Sequence, residues 1–232
     1  EYVKSQMNVT IEYYELNGNN FEKSHIVSVL KDLYVNSNDV ILFYSTSHGF
    51  NYNNGISKYP FIGAHPTKKD MTQEEFDVYG LSLEKEVMKT LQKKGARLTI
   101  AMAEACNTII DIPTPKRYNA MNVNIGKRLE ELFIYESGSL IASSSVIDQR
   151  SWTDDKDGGI YTNMFINALN EVISSDKKAK WETVFSLTTE YTKDYAKDIP
   201  NGQKPQFENN KKDTPIKLKS SSYIAPKVKL VK

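Results

Sequence analysis

Two short apolar runs, each followed at once by small and polar residues, constrain the fold of this chain most strongly. Residues 40–44 read VILFY and residues 98–102 read LTIAM. Continuous apolar runs of this length are typical of strands buried on both faces, as in parallel sheets covered by helices. Between such runs lie segments with apolar residues at helical spacing, such as residues 21–34 and 161–173. The alternation predicts an α/β fold with a mostly parallel sheet and helices on both faces.

Length and composition exclude several classes of protein. With 232 residues and 39% hydrophobic residues, the chain can build the core of one domain spanning residues 1–232. No apolar run is long enough to span a bilayer, and a net charge of +1 gives no argument for a nucleic-acid partner. One cysteine and three histidines leave little from which to build a metal site, so we expect neither a metal nor another cofactor. The compartment cannot be read from the sequence.

The residues that follow the predicted strands carry the candidate chemistry. His48 and Gly49 follow the first apolar run closely, and Cys106, the only cysteine, follows the second. Because ligands bind beyond the carboxyl ends of parallel strands, these residues are expected at one edge of the sheet. An imidazole can activate a thiol as a nucleophile, and the backbone N–H of a glycine suits an oxyanion hole. A lone cysteine is more often a buried apolar residue, but the pairing with His48 favours a catalytic role.

Four segments, in this order, resemble a known family. They are VILFYSTSHG at 40–49, GARLTIAMAEACN at 95–107, SLIASSSVIDQRSWTDDKDGGIYTNMFINAL at 139–169, and Lys204-Pro205-Gln206. Together they resemble the caspase and metacaspase-like cysteine peptidases of clan CD and, more distantly, legumain. The resemblance covers residues 9–207 and implies a caspase-like three-layer sandwich. It also implies a hydrolase that cleaves protein or peptide substrates, with Cys106 as nucleophile, His48 as acid–base and Gly49 in the oxyanion hole.

The same resemblance implies a substrate pocket formed by Glu104, Asp148, Ser151 and Trp152. Glu104 lies two residues before Cys106, so in a strand both side chains would point to the same side. Thr153 stands where caspases have the arginine that binds an aspartate side chain. An acid gained and an arginine lost favour cleavage after Arg or Lys.

Three alternatives to this interpretation stay open. A legumain-like peptidase or transpeptidase also carries Glu-Ala-Cys and accepts asparagine. A catalytically silent caspase-like domain could serve only in binding. Glu104 itself could be a structural carboxylate, hydrogen-bonded to backbone rather than to substrate.

The resemblance also raises expectations outside the site. The family's first, central strand and its helix should precede the strand predicted at residues 9–16. We therefore expect that strand upstream of residue 1, in a separate or cleaved N-terminal segment of the same precursor. Lys116-Arg117 is a candidate self-cleavage site for zymogen processing. Asp154, Asp155 and Asp157 allow calcium activation of the metacaspase kind, although a solvated acidic loop is the favoured interpretation.

Overall fold

The computed structural model describes residues 6–7, 9–52, 57–65, 72–110, 125–154, 158–211 and 227–231. The strands are β1 (Thr10–Tyr14), β2 (Val40–Ser47), β3 (Gly49–Phe50), β4 (Phe61–Gly63), β5 (Gly80–Ser82), β6 (Leu98–Ala105), β7 (Asn107–Ile110), β8 (Gly138–Ser143), β9 (Ser151–Asp154), β10 (Gly158–Gly159), β11 (Gln206–Lys211) and β12 (Lys227–Val231). The α-helices are α1 (Lys23–Asp32), α2 (Gln73–Tyr79), α3 (Lys89–Lys93), α4 (Ile125–Glu130), α5 (Ile160–Ser174) and α6 (Trp181–Tyr195). Wider π-helical turns, Leu83–Met88 and Glu131–Tyr135, precede α3 and follow α4.

The main sheet has six strands in the order β1-β12-β2-β6-β8-β11. The first five strands run parallel, and β11 pairs antiparallel with β8 at the edge. Two three-stranded sheets, β10-β9-β7 and β3-β4-β5, are formed by segments that follow the carboxyl ends of the main strands. The predicted mostly parallel sheet is therefore confirmed.

Helices cover both faces of this sheet because its buried strands present apolar residues in both directions. Ile100 and Met102 of β6 belong to a core shared with α4, α5 and α6. Ala101 and Ala103, which alternate with them along the strand, belong to a second core shared with α1 and the segment leading into α3. The two cores make the molecule the three-layer sandwich that was expected.

One inner strand of the sheet, β12, is formed by residues 227–231, whereas a strand upstream of residue 1 was expected at its position. The position between β1 and β2 is filled by β12, whose residues pair in parallel register with both neighbours. The resemblance to caspases places this strand upstream of residue 1, since a sheet without it would leave buried backbone groups unpaired. The backbone groups are paired as that argument requires, but residues 227–231 supply the partner. The sequence also predicts a short strand at residues 215–219, which lie outside the described residues.

A cluster of three charges, of which Lys229 is buried, holds β12 against β1. Lys229 is 2% exposed, and its ammonium group bonds to the Glu12 carboxylate on the neighbouring strand. Lys227 donates to the other oxygen of Glu12 at 2.9 Å. These two hydrogen bonds lower the pKa of Glu12 to about 2. A lysine that would otherwise be costly to bury is thus compensated in the sheet.

A membrane-spanning segment is not found among the described residues, since none of their helices is both long enough and apolar enough.

We predict that Val231→Asp prevents stable folding, since Val231 is fully buried at the end of β12. An unpaired carboxylate at this position should cost more than about 3 kcal/mol of unfolding free energy. The matched control is Val78→Asp, because Val78 is 61% exposed on α2. Thermal unfolding followed by circular dichroism measures both. A Val231→Asp variant that melts like the wild type would contradict the placement of β12 inside the sheet.

Candidate active site

The pairing of β2 with β6 brings the candidate catalytic residues to one edge of the sheet. The two strands are in parallel register from Val40↔Leu98 to Ser47↔Ala105. His48 and Cys106 directly follow the two strands, at the carboxyl ends where ligands bind in parallel sheets. The His48 carbonyl accepts hydrogen bonds from the Ser47 hydroxyl and the Gly63 backbone N–H. These two bonds hold the His48 backbone in place.

Cys106 has an unusual backbone and a shielded thiol. Its φ is +73°, a left-handed conformation that is uncommon for a residue with a side chain. The residue is partly buried, and its thiol donates a hydrogen bond to the Gly49 carbonyl at 2.7 Å. Burial raises the pKa of the thiol to about 11. In the described part of the chain, no hydrogen bond joins this thiol to the His48 imidazole, and burial favours the protonated form of the thiol.

Gly49 is required by the close approach of two backbone segments. A Cβ at this position would lie 2.5 Å from the Cβ of Ala105 and 3.3 Å from the backbone nitrogen of Cys106. Any larger residue would therefore push the His48 loop away from the nucleophile. The same proximity brings the backbone of Gly49, which is expected in the oxyanion hole, beside that of Cys106.

Glu104 is placed differently from the other predicted pocket residues. Its carboxylate is fully buried and accepts hydrogen bonds from the backbone N–H groups of Tyr161 (3.1 Å) and Thr162 (3.3 Å) and from the Thr162 hydroxyl. It thereby caps the N-terminus of α5, where orphan N–H donors favour an anion. A Cβ on Gly159 would overlap this carboxylate, so the chain needs a glycine there. Burial raises the pKa of Glu104 to about 7.

This arrangement matches the alternative of a structural carboxylate rather than an exposed pocket acid. The expectation that Glu104 points to the same side as Cys106 assumed that the strand continues through the nucleophile. In fact β6 ends at Ala105, and the left-handed backbone of Cys106 interrupts the alternation. The two side chains therefore face different surroundings.

Ser151 and Trp152 are also buried within the protein. The Ser151 backbone N–H donates to the Cys106 carbonyl at 2.6 Å, which ties the start of β9 to the nucleophile. The Trp152 indole N–H donates to the Gly202 carbonyl at 3.1 Å, and the ring packs against Ile160 and Met164. Both residues position the segment beside Cys106, but neither is among the residues that line the cavity next to it.

Gln203 is a positioning residue that the sequence analysis missed. Its amide oxygen accepts from the Trp152 backbone N–H at 3.0 Å, and its amide nitrogen donates to the Ser144 carbonyl at 3.1 Å and to the Ser151 hydroxyl at 3.4 Å. The residue is 3% exposed. It directly precedes Lys204-Pro205-Gln206, so its position next to this motif was the sequence feature that could have indicated it.

A cavity of about 140 Å³ opens beside the nucleophile. Of the four residues predicted to contact substrate, Asp148 is the one that lines it. The other lining residues are Phe50, Asn51, Lys58, Pro60, Cys106, Ser145, Val146, Ile147 and Gln149. The cavity thus joins the loop after β2 to the loop after β8, with Cys106 between them.

Two further expectations fall on residues outside the described part. The side chains of Asp154, Asp155 and Asp157, considered for calcium, lie there, as does Lys116-Arg117. Among the residues that the structure describes, no group of three His, Cys, Asp or Glu residues could hold a metal ion.

A three-layer α/β/α sandwich with a cysteine and a histidine directly after adjacent parallel strands is the arrangement that the resemblance to caspase-like cysteine peptidases implies. The family model of the caspase domain matches residues 5–215, so the chain belongs to the caspase family. Family membership supports a cysteine peptidase in general, although the family can include inactive members. The match ends before β12, so the strand that fills the inner position lies outside the matched segment. No curated protein matches the chain.

We predict that alkylation of Cys106 by iodoacetamide rises about tenfold per pH unit from pH 7 and does not level off by pH 10. The reason is that the thiolate reacts, and burial raises the thiol pKa from 9.0 to about 11. Because the chain has one cysteine, the intact mass reports the reaction directly. Free cysteine, which levels off near its ordinary pKa, is the control. A plateau below pH 9 would show that a neighbouring group stabilises the thiolate.

Proposed function

We propose that this chain is a cysteine endopeptidase that hydrolyses peptide bonds through an acyl-enzyme formed on Cys106. The observation that carries the proposal is the β2–β6 register, because both strands end at one edge of the sheet, directly before His48 and Cys106, and Cys106 lines a cavity there. A nucleophile and an acid–base group at one site are what acyl transfer requires.

The reaction can be followed through the residues of this site. The thiol leaves the Gly49 carbonyl, transfers its proton to the His48 imidazole and attacks the substrate carbonyl carbon. The Gly49 and Cys106 backbone N–H groups bind the oxyanion. The imidazolium then protonates the leaving amine, giving the thioester, and in the second half His48 takes a proton from the water that hydrolyses it.

We further propose cleavage after Arg or Lys, with Asp148 rather than Glu104 as the recognition acid. Asp148 is exposed and lines the cavity beside Cys106. Lys58, the cation that lines the same cavity, already pairs with Glu208. The cavity therefore has an acid available to a basic side chain. Thr153, where caspases have arginine, supports the same preference, and Lys116-Arg117 becomes a candidate self-cleavage site.

A second candidate function is a catalytically silent caspase-like domain. It is favoured by one observation, the thiol bonded to the Gly49 carbonyl with a raised pKa. A labelled peptidyl-Arg acyloxymethyl ketone separates the two candidates, because it modifies only a competent nucleophile. Failure to modify Cys106 would favour the silent domain.

We predict that Cys106→Ala abolishes peptide cleavage and that His48→Ala lowers kcat/KM by about 10²–10⁴-fold, the usual contribution of general acid–base catalysis. His25→Ala is the matched control, because His25 is exposed on α1. Turnover of fluorogenic peptides measures all three variants, with thermal unfolding to show that each is folded. Cleavage by Cys106→Ala at the wild-type rate would exclude the proposed nucleophile.

We predict that Asp148→Asn lowers the ratio of kcat/KM for Arg over norleucine before the cut by about three- to fivefold. The magnitude is modest because exposed ion pairs contribute only about 0.2–1 kcal/mol. Asparagine tolerates the left-handed backbone of Asp148, whose φ is +64°, so the fold should be retained. Asp198→Asn, at an exposed residue after α6, is the control.

A wild-type preference for Asn would instead support a legumain-like enzyme, and product formed with an added amine would indicate transfer.

A further inference from the structure

Asn51, in the loop after the candidate oxyanion glycine, holds an amide whose orientation is fixed by its neighbours. Its nitrogen donates to the backbone carbonyls of Ser57 and Tyr59, both at 3.2 Å. Carbonyl oxygens only accept hydrogen bonds, so the amide cannot be turned the other way without losing both. The Asn51 oxygen is thereby directed away from these carbonyls. It is buried and has no hydrogen-bond partner within the described part of the chain.

A second unpartnered amide oxygen lies on the opposite loop. The Gln149 backbone N–H closes a turn onto the Val146 carbonyl at 3.1 Å, and the Gln149 side-chain oxygen is buried with no hydrogen-bond partner among the described residues. In the described residues, four buried side-chain atoms lack a hydrogen bond, and two of them belong to residues that line the cavity beside Cys106. A buried unpaired acceptor costs about 1–3 kcal/mol, which a ligand that donates to it recovers.

The chemistry of the cavity selects the kind of ligand. Asn51 and Gln149 contribute acceptors, Asp148 adds a carboxylate, and the Lys58 ammonium is engaged by Glu208. An ammonium group brings three N–H donors and a guanidinium five, and neither brings an acceptor that would need a partner. A carboxylate brings only acceptors, so it could not form hydrogen bonds with the two amide oxygens or with the Asp148 carboxylate.

We propose that Asn51 and Gln149 are specificity-determining residues, whose amide oxygens accept hydrogen bonds from a cationic substrate side chain beside the scissile bond. This inference rests on the proposed peptidase function and assigns the recognition to residues that neither the sequence nor the family match indicated. Asp148 supplies a negative charge to the cavity, whereas the two amide oxygens fix the direction of the hydrogen bonds that the cation donates.

The test compares a peptide that has Lys before the cut with the same peptide carrying norleucine, which keeps the carbon chain and lacks the ammonium. Gln149→Met removes the acceptor at similar length. It should lower the Lys-to-norleucine ratio of kcat/KM about tenfold, since a hydrogen bond to a charged group contributes about 1.5–3 kcal/mol. Gln92→Met, the same change at an exposed residue of α3 whose amide donates to the Ser139 hydroxyl, should leave the ratio unchanged. An unchanged ratio in Gln149→Met would overturn the proposal.

Asn51→Ala should lower the same ratio, although it also removes the two hydrogen bonds to the loop carbonyls. Its thermal unfolding must therefore be measured, and Gln149→Met remains decisive if the loop is destabilised. A preference of the wild type for Asn or Asp that is lost in either variant would overturn the cationic assignment.

A binding experiment separates failure of this inference from failure of the proposed function. In the Cys106→Ala background, calorimetry should show tighter binding of the Lys peptide than of the norleucine peptide, with the difference reduced by Gln149→Met. If this holds while the wild type cleaves nothing, the peptidase proposal fails and the recognition site stands. If the wild type cleaves peptides but both peptides bind equally, the recognition site fails alone.

Discussion

The parallel register between β2 and β6 is the constraint on which the rest of the site depends. Eight residues of each strand pair without interruption, from Val40↔Leu98 to Ser47↔Ala105. This pairing fixes where His48 and Cys106 leave the sheet, and it also fixes how closely the two loops approach. At Gly49 the approach leaves no space for a side chain. Movement of either strand by one residue would reverse its side chains between the two cores and separate the candidate catalytic residues.

The site is held rigidly by groups that do not themselves face the cavity. Glu104 joins the end of β6 to the start of α5, and Gln203 joins the loop after β8 to the start of β9. The Ser151 N–H in turn holds the Cys106 carbonyl. Buried polar groups of this kind are well compensated here, because each donor and acceptor named has a partner. The two amide oxygens beside the nucleophile stand out against this background.

The sequence predicts the part of the fold that depends on local patterns. Apolar runs and helical spacing suffice for the layers, and the residues after each run suffice to place His48 and Cys106 at one edge. The surroundings of Glu104 could not be predicted, because the left-handed backbone of Cys106 breaks the strand alternation. The origin of the inner strand could not be predicted either. The alternating lysines of β12 resemble an exposed edge, and Lys229 becomes compatible with burial only through Glu12, 217 positions away.

The position of β12 has a consequence for how the molecule is made. β1 and β2 are synthesised before β12, yet they are joined in the sheet only through β12, which follows every other strand of the main sheet in the chain. The Lys227 N–H reaches Asp39 across 188 positions, so closing the sheet carries the chain-entropy cost of a very long loop. On the ribosome, the apolar faces of β1 and β2 therefore stay partly exposed until residues 227–231 have emerged. Folding of this sheet therefore includes a slow step that awaits a contact between residues far apart in the chain, and in the interval before it chaperones have apolar surface to bind.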